Sequence, residues 1–594
     1  SFKYTPSAPY RDGYGNTLAD VAMKYWKTDL RPGMLNNVPT TAANPAFWQH
    51  MVTFGISIGL TGKKGWSSVA DVPNNATWND PTDTEDADRI DDLLHAAKNS
   101  RGAFVAASNP SEFTEGLIAA LSAISQRTSS YSNVATNSVS VDSGTRSFNA
   151  SYVSGVWSGN VTARSITTGA QVWTASVPAF ATRKDRVFTY NGTAGAKFPT
   201  PAQVIALARS GGPANYAVSG EDNAKYIMGD ATLEERLGNG KLRNRLSRLG
   251  DIVHSSPAYV RDTDTLYVGA NDGMLHAFNA ANGQELFAYV PNLLSFGNLA
   301  TLSRQDYAHK YFVDGPVTVS DRMLTPGKNV LVGTLGRGGK GLYALDVTTP
   351  SSFAAGSVLW ERADTEGQHM GLVLGRPVIA KVATGKTGVI VANGINSTSG
   401  RAALIVLDTA DGSVIREIST GVGSPASPNG LSTPTAVYGQ DGRTVAYVYA
   451  GDMQGNVWKF DLTSGSASAW TATKLFTARD ANGVAQPITA GVAVATNPRT
   501  FERWIFFGTG RYMTIEDASA ENATPQSMYG FAEPAGTALT RANLTGRQIV
   551  AITTERRGFQ QNAPLPSGSK GWFIDLPGTG ERIVQDAQVA SGYL

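Results

Sequence analysis

The sequence predicts a mainly β chain, a β-propeller of roughly six to seven blades behind a mixed α/β N-terminal segment. Three observations predict it. Strand–turn–strand segments recur with the same Gly, Asn and Asp turns. The apolar period changes to two near residue 148. The composition suits tight turns, with 63 Gly in 594 residues and charged residues at 16%, below the ~25% of an ordinary globular protein.

Residues 1–147 read as helical with one strand. Leu18, Val21, Ala22 and Tyr25 fall at helical spacing in Thr17–Trp26, and Ile90, Leu93, Leu94 and Ala97 do so in Arg89–Lys98. Pro110 stands near a third start, with Asn109 or Ser111 as cap and Phe113, Leu117, Ala120, Leu121 and Ile124 as stripe. Gly102–Ala106 reads as a short strand between the last two helices. A strand followed by a helix resembles the end of a von Willebrand A-like domain, by analogy only, since no Asp-x-Ser-x-Ser metal motif is present.

Residues 148–594 carry the repeats. The clearest runs from Tyr267 to Tyr289: Leu266 and Val268 lead into the turn Asn271-Asp272-Gly273, Met274–Phe278 forms a strand, Asn282-Gly283 turns again, and Glu285–Tyr289 forms the next strand. Five other segments align with it, namely Gly155–Arg164 with Thr168–Trp173, Val330–Asp346, Val389–Gly394 with Ala403–Asp408, Val448–Asp461, and Ile505–Tyr512 with Met528–Phe531. Pro257, Pro316, Pro377 and Pro434 precede several of them in short extended stretches. A β-sandwich with Gly-rich turns is the plainer alternative. The repeat holds over about 380 residues, more than one sandwich usually contains. Residues 180–250, including a charged helical stretch from Leu233 to Arg248, read as an insertion between the first and second blades.

The net charge of +2, without a basic stretch, argues against nucleic acid as a partner. The chain has no Cys, so disulfides, thiolate metal sites and Cys nucleophiles are excluded. No apolar run approaches the ~20 residues of a transmembrane helix. Ser1-Phe-Lys-Tyr-Thr-Pro6 lacks an initiator Met and an apolar core, which predicts a processed product or a fragment.

Catalytic or cofactor-binding residues are not predicted. The six histidines, at 50, 95, 254, 276, 309 and 369, show no metal-ligand spacing. His276 reads as a packed or hydrogen-bonded blade residue. Gly333–Gly341 links two strands rather than opening a helix, which disfavours phosphate binding. Asp80, Asp83, Glu85, Asp86 and Asp88 crowd one loop; Asp262-Thr-Asp264 and Asp480-Ala-Asn482-Gly483 are shorter acidic runs. None completes a calcium-loop pattern, and surface turns explain them more simply.

Several of these segments resemble the C-terminal propeller of PilC/PilY-type proteins of bacterial type IV pili. The resemblance rests on Tyr226-Ile-Met-Gly-Asp230, Arg243–Arg248, Leu249–Pro257 with the Tyr267–Tyr289 unit, Tyr311–Pro316, Leu331–Pro350, Tyr449–Leu462, Phe507–Tyr512 and Gly571–Leu576. The pieces Trp48–Gly55 and Arg89–Asn109 resemble the family too. The resemblance implies a quinoprotein-like propeller and a von Willebrand A-like region upstream. It implies a secreted protein at the pilus tip, exported through the periplasm and outer membrane. Minor pilins and a host-cell or abiotic surface receptor are the implied partners. Roles in pilus biogenesis, retraction control, adhesion and twitching motility follow from it. Relatives often continue past the position of Leu594, which implies missing strands in the terminal blade.

Many relatives carry a calcium loop before the Tyr-Ala-Gly-Asp strand. Here its ligand positions fall on Tyr438, Gln440, Gly442 and Ala446, and only Asp441, out of step, is acidic. The expectation is therefore that this loop holds no Ca²⁺. The Arg-Gly-Asp tripeptide of some relatives is also absent. The leading reading is a non-enzymatic tip adhesin and assembly factor. The alternatives are a quinoprotein-like dehydrogenase, which would need a quinone, a Ca²⁺ and a catalytic carboxylate, and a carbohydrate-binding propeller.

Overall fold

The computed structural model describes residues 6–33, 36, 38, 44–109, 112, 113, 117, 131–136, 145–210, 217–237, 240–363, 367–497, 500–519, 523–551, 557–559 and 564–589. These divide into two compact units, residues 1–130 with 153–156, and residues 131–152 with 157–594.

In the first unit, helix α1 spans Leu18–Lys27 and is opened by a capping box in which Thr17 and Asp20 satisfy each other's backbone N–H. Helix α2 spans Asp86–Asn99. Its Asp92 accepts from the N–H groups of Leu18 and Ala19 at 2.9 and 3.1 Å, so a side chain of α2 caps α1. Strands Gly55–Ile58 and Phe104–Ala107 pair in parallel. Leu94 and Ala97 are buried and Ile90 and Leu93 pack beside them, as the spacing predicts. The face of α1 differs from expectation. Ala19, Ala22, Met23 and Trp26 are buried, while Leu18, Val21 and Tyr25 are exposed. The larger Trp26 decides the register, since its Nε1 reaches Asn44 Oδ1 at 3.0 Å in a core shared with Trp48. The third helix's stripe lies largely outside the described residues.

Among the described residues, the second unit contains six sheets of four or more strands. The first takes Tyr131–Thr136, Arg146–Val153, Ser158–Ser165 and Gln171–Thr174. It therefore begins upstream of residue 147, in a Ser/Thr-rich strand without the apolar alternation that signals the others. The second takes Ala258–Val260, Thr265–Ala270, Met274–Asn279 and Glu285–Val290, and the third Val317–Val319, Val330–Thr334, Leu342–Asp346 and Val358–Arg362. The fourth takes Val378–Lys381, Thr387–Ala392, Arg401–Asp408 and Val414–Gly423, and the fifth Thr435–Tyr438, Val445–Gly451, Asn456–Asp461 and Thr471–Thr477. The sixth holds Ala493–Thr496, Arg503–Gly508, Ser527–Ala532, Gly571–Asp575 and Thr545–Arg547 in that spatial order. Gly571–Asp575 takes the fourth place in that order.

Four of the six sequence repeats fall on the second and third strands of a sheet; Tyr267–Tyr289 takes the second, third and fourth, and Gly155–Trp173 the third and fourth. Pro257, Pro316, Pro377 and Pro434 each sit immediately before a first strand. First strands pair with one neighbour only, so a residue without an N–H is tolerated at their start.

The cores lie between sheets. In the third sheet Leu331, Tyr343 and Leu345 pack toward the second, while Val330, Val332, Leu342 and Ala344 pack toward the fourth. In the fourth, Val389, Val391 and Ile405 face back, and Ile390, Leu404 and Val406 face forward. Period two thus feeds two cores at once, and both faces must be apolar. Five such cores fill the five seams between successive sheets.

Two seams share one device. Trp173, on the last strand of the first sheet, donates Nε1–H to Ala280 O at 2.9 Å, and an added Cβ on Gly283 would lie 2.5 Å from its ring. Trp360, on the last strand of the third sheet, donates to Thr409 O at 3.0 Å, and a Cβ on Gly412 would lie 2.6 Å away. Both glycines have positive φ, 75° and 70°, so the turn demands Gly for conformation as well as space.

Buried polar side chains peg sheets together as well. Asn393 donates to His369 O and Arg401 O at 2.8 and 2.7 Å and accepts from the N–H groups of Ala403 and Leu431 at 3.0 Å each.

The insertion adds structure to the second sheet. Val187–Tyr190 pairs in parallel with Glu285–Val290, and Gly195–Lys197 extends the same edge. Helices α3 (Pro201–Leu207) and α4 (Gly220–Ile227) follow. The expected helix over Leu233–Arg248 does not form: its described part is a 3-10 turn at Glu235–Leu237 and irregular chain. Gly238 and Gly240 interrupt it, and its arginines are drawn to separate partners. Arg245 reaches Glu234 Oε1, Tyr226 O and Asp230 O at 2.9, 2.6 and 2.7 Å, and Arg243 reaches Leu302 O at 2.8 Å.

Candidate functional site

The loop expected to lack calcium ligands is the turn between Thr435–Tyr438 and Val445–Gly451. Asp441 there spends its carboxylate locally. Its Oδ1 accepts from the N–H groups of Arg443 and Thr444 at 3.0 and 2.9 Å, and its Oδ2 from Thr444 Oγ1 at 2.6 Å. Led by the Thr444 hydroxyl, these bonds hold its pKa down at about 2. Among Tyr438, Gln440, Gly442 and Ala446 only a phenol and an amide offer side-chain oxygen. A hard cation takes six to eight oxygen ligands. The donor set does not fit Ca²⁺.

The acidic loop of the first unit is occupied by its own neighbours. Asp83, Glu85 and Asp88 bring one oxygen each within 4.8 Å of one another. Lys63 Nζ pairs with Glu85 and lies 3.3 Å from Asp88, while Asn79 Nδ2 donates to Asp88 at 2.7 Å. Asp80 accepts from Thr82 Oγ1 at 2.6 Å, and Asp86 pairs with Arg89 at 2.5 Å. Asp264 accepts from Tyr259 Oη at 3.0 Å, and Asp480 closes a turn with the N–H groups of Asn482 and Val484 at 2.9 and 2.8 Å. These are turn and pairing carboxylates.

His276 lies in a buried ionic network. Its Nδ1 is 2.7 Å from Glu285 Oε1 and its Nε2 3.1 Å from Asp272 Oδ2. Arg183, from the insertion, forks onto Glu285 with Nε–Oε2 at 2.7 Å and Nη2–Oε1 at 2.8 Å. Burial alone would neutralise these groups, but mutual attraction outweighs it. The neighbouring Asp272 and Glu285 raise His276 to about 9, and Arg183 with His276 lowers Glu285 to about 2. The two cations and two carboxylates face one another, and the network joins the insertion to the second sheet.

Two further histidines hold buried carboxylates that the sequence reading did not pair. His254 Nδ1 lies 2.8 Å from Asp314 Oδ2, and Asp314 Oδ1 accepts from His254 N–H at 3.1 Å. His309 Nε2 lies 2.7 Å from Asp251 Oδ2, which also accepts from Asn271 Nδ2 at 2.9 Å. The rings flank Tyr311 at 5.8 and 4.9 Å, and Trp157 covers His309 at 4.2 Å. These crossed pairs clasp the segments that lead into the second and third sheets. Partners 58 and 60 residues apart leave no local signal.

The other histidines are structural. His95 stacks on Trp78 at 4.0 Å, and burial lowers it to about 4. His50 Nδ1 lies 2.6 Å from Trp48 O, and His369 Nδ1 2.8 Å from Ser399 Oγ.

Residues 246–557 match a family model described as the PilY1 beta-propeller domain. The chain is similar to type IV pilus biogenesis factor PilY1 of Pseudomonas aeruginosa, 30% identical over 712 aligned positions covering 98% of this chain and 60% of that protein. It is 34% identical to a type IV pilus biogenesis factor PilY1 homolog of Xylella fastidiosa, over 75% of this chain and 37% of the homolog. Against the crystal structure of the Pseudomonas aeruginosa PilY1 C-terminal domain the identity is 32% and the TM-score 0.46, covering 54% of this chain and 73% of that one. The chain spans at most 60% of the length of these curated relatives.

Proposed function

The chain belongs to the PilY1 β-propeller family, and from that premise we propose that it serves type IV pilus biogenesis at the cell surface. The family match across the second to sixth sheets carries the reading. In finer terms, the protein acts at the pilus tip as a non-enzymatic adhesin and assembly factor. It binds minor pilins and external surfaces and restrains retraction. Its position at the tip requires export through the periplasm and outer membrane. Among the described residues no helix is long and apolar enough to cross a membrane.

Two features support a binding rather than a catalytic role. The buried ionic groups Arg183, His276 and Glu285 are paired with one another and not turned to a substrate. The five inter-sheet cores hold a stiff frame from which loops and edges can be displayed. The short edge strand Thr545–Arg547 of the sixth sheet is the proposed place for an added pilin strand. In the first unit, α2 between two parallel strands supports reading that region as the end of a von Willebrand A-like domain.

The test is deletion of the encoding gene, with sheared surface pilin and twitching-zone diameter as readouts. Loss of both, restored by the intact gene, is expected. A deletion strain with normal pili and motility would overturn the reading. Co-purification of minor pilins with the intact protein tests the partner assignment.

A further inference from the structure

The first strands of the second and third sheets, Ala258–Val260 and Val317–Val319, border a cavity of about 500 Å³. That size falls in the ~300–1,000 Å³ range of small-ligand sites. Four charged side chains line it: Arg261, Asp262, Asp321 and Arg376.

The charges are unevenly committed. Among the described residues, neither Arg261 nor Arg376 makes a side-chain hydrogen bond or ion pair, and both are exposed. The carboxylates are fixed by one oxygen each. Asp262 Oδ2 accepts from Asn329 Nδ2 at 2.9 Å, and Asp321 Oδ1 accepts from the N–H groups of Met323 and Leu324 at 2.9 and 2.7 Å. Oδ1 of Asp262 and Oδ2 of Asp321 stay uncommitted. Arg322, outside the lining, stands 4.0 Å from Asp262 Oδ2 and partly offsets that carboxylate, which leaves the two uncommitted guanidiniums of the lining to attract an anion.

We propose that this cavity binds a carboxylated sugar, a uronic or sialic acid unit. Two free guanidinium forks suit one planar carboxylate. The two open carboxylate oxygens accept from sugar hydroxyls, which a simple inorganic anion does not offer. The cavity's size accommodates one or two sugar rings. The site extends beyond the proposed pilus role and does not depend on it.

Calorimetric titration of the intact protein with galacturonate and with N-acetylneuraminate tests the site, with galactose and dialanine as controls. Saturable binding of at least one acidic sugar, and of neither control, is expected. Arg261→Ala and Arg376→Ala should each weaken it by about tenfold or more, as loss of a charge-assisted hydrogen bond does. Arg261→Lys should retain part of the affinity. Both arginines are exposed, so unchanged melting temperatures should accompany the loss; if an alanine variant misfolds, Arg261→Gln and Arg376→Gln give the same comparison. Absence of saturable acidic-sugar binding, equal binding of galactose, preference for dialanine, or full affinity in folded variants overturns the proposal.

Discussion

Trp360 donates its indole N–H to the carbonyl of Thr409 across the seam between the third and fourth sheets, at 3.0 Å. The indole rests where a side chain on Gly412 would have to go. Gly412→Ala should therefore cost about 1–3 kcal/mol, from the positive φ and the ring contact together. Trp360→Phe should cost about 1–2 kcal/mol through the lost hydrogen bond and poorer fill. Denaturant midpoints of the two variants and of the pair check this; the double variant should lose less than the sum, because the two residues meet.

Stability should fall as pH rises from about 6.5 to about 9, because His276 is raised from its ordinary value of 6.5 to about 9. Its contribution is full below the free value and fades as the folded imidazolium loses its proton. Glu285 acts at the other end: lowered from 4.5 to about 2, it contributes above 4.5 and fades in acid. The network is fully stabilising between these limits. His276→Gln should flatten the alkaline limb in thermal melts taken across pH 6–9, and an unchanged slope would count against the imidazolium.

Glu361 predicts a separate effect of the same sign. Its Oε1 accepts from Tyr289 Oη and Asn292 N–H, both at 2.7 Å, while the buried Oε2 has no hydrogen-bond partner among the described residues. Burial raises it to about 7, so its protonated form suits the fold and its contribution is lost as pH rises through that value. Glu361→Gln should match the wild type at pH 5 and exceed it in stability at pH 8. A variant less stable than wild type at pH 8 would show that the charged carboxylate is not penalised.

The turn at Asp441 should be indifferent to calcium. Addition of Ca²⁺, or of a chelator, should leave the melting temperature of the Asp441→Ala variant shifted no differently from that of the wild type. Tight calorimetric Ca²⁺ binding that survives Asp441→Ala and maps to residues 438–446 would contradict the loop's donor chemistry.

The blades were legible because their apolar alternation and Gly/Asn/Asp turns are local. Tyr267–Tyr289 became three strands nearly as read, and the prolines marked first strands. Strand Tyr131–Thr136 was missed because nothing in Tyr-Ser-Asn-Val-Ala-Thr alternates strongly. The helix α1 was found from its spacing, but its inward face was misread: two apolar stripes compete on it, and the burial of Trp26 settled the choice. The charged stretch from Leu233 to Arg248 reads as helical, but Arg245 is held by Glu234, Tyr226 and Asp230, long-range partners that its local sequence does not reveal. His276 reads as a packed or hydrogen-bonded blade residue and is buried and hydrogen-bonded to Glu285 and Asp272, but Arg183, which completes the network from 93 positions away, leaves no periodic signal.

The placement of the apolar cores between consecutive sheets, and not within them, has a mechanical consequence. Among the described residues the five inter-sheet cores join sheets that are consecutive in sequence, so tension drawn through that stretch of chain is carried by the seams in series. The weakest seam yields first and peels a whole sheet from its neighbour, while the remaining seams keep their grip. A molecule built this way lengthens under load in discrete, recoverable steps, and the force it withstands is that of its frailest junction.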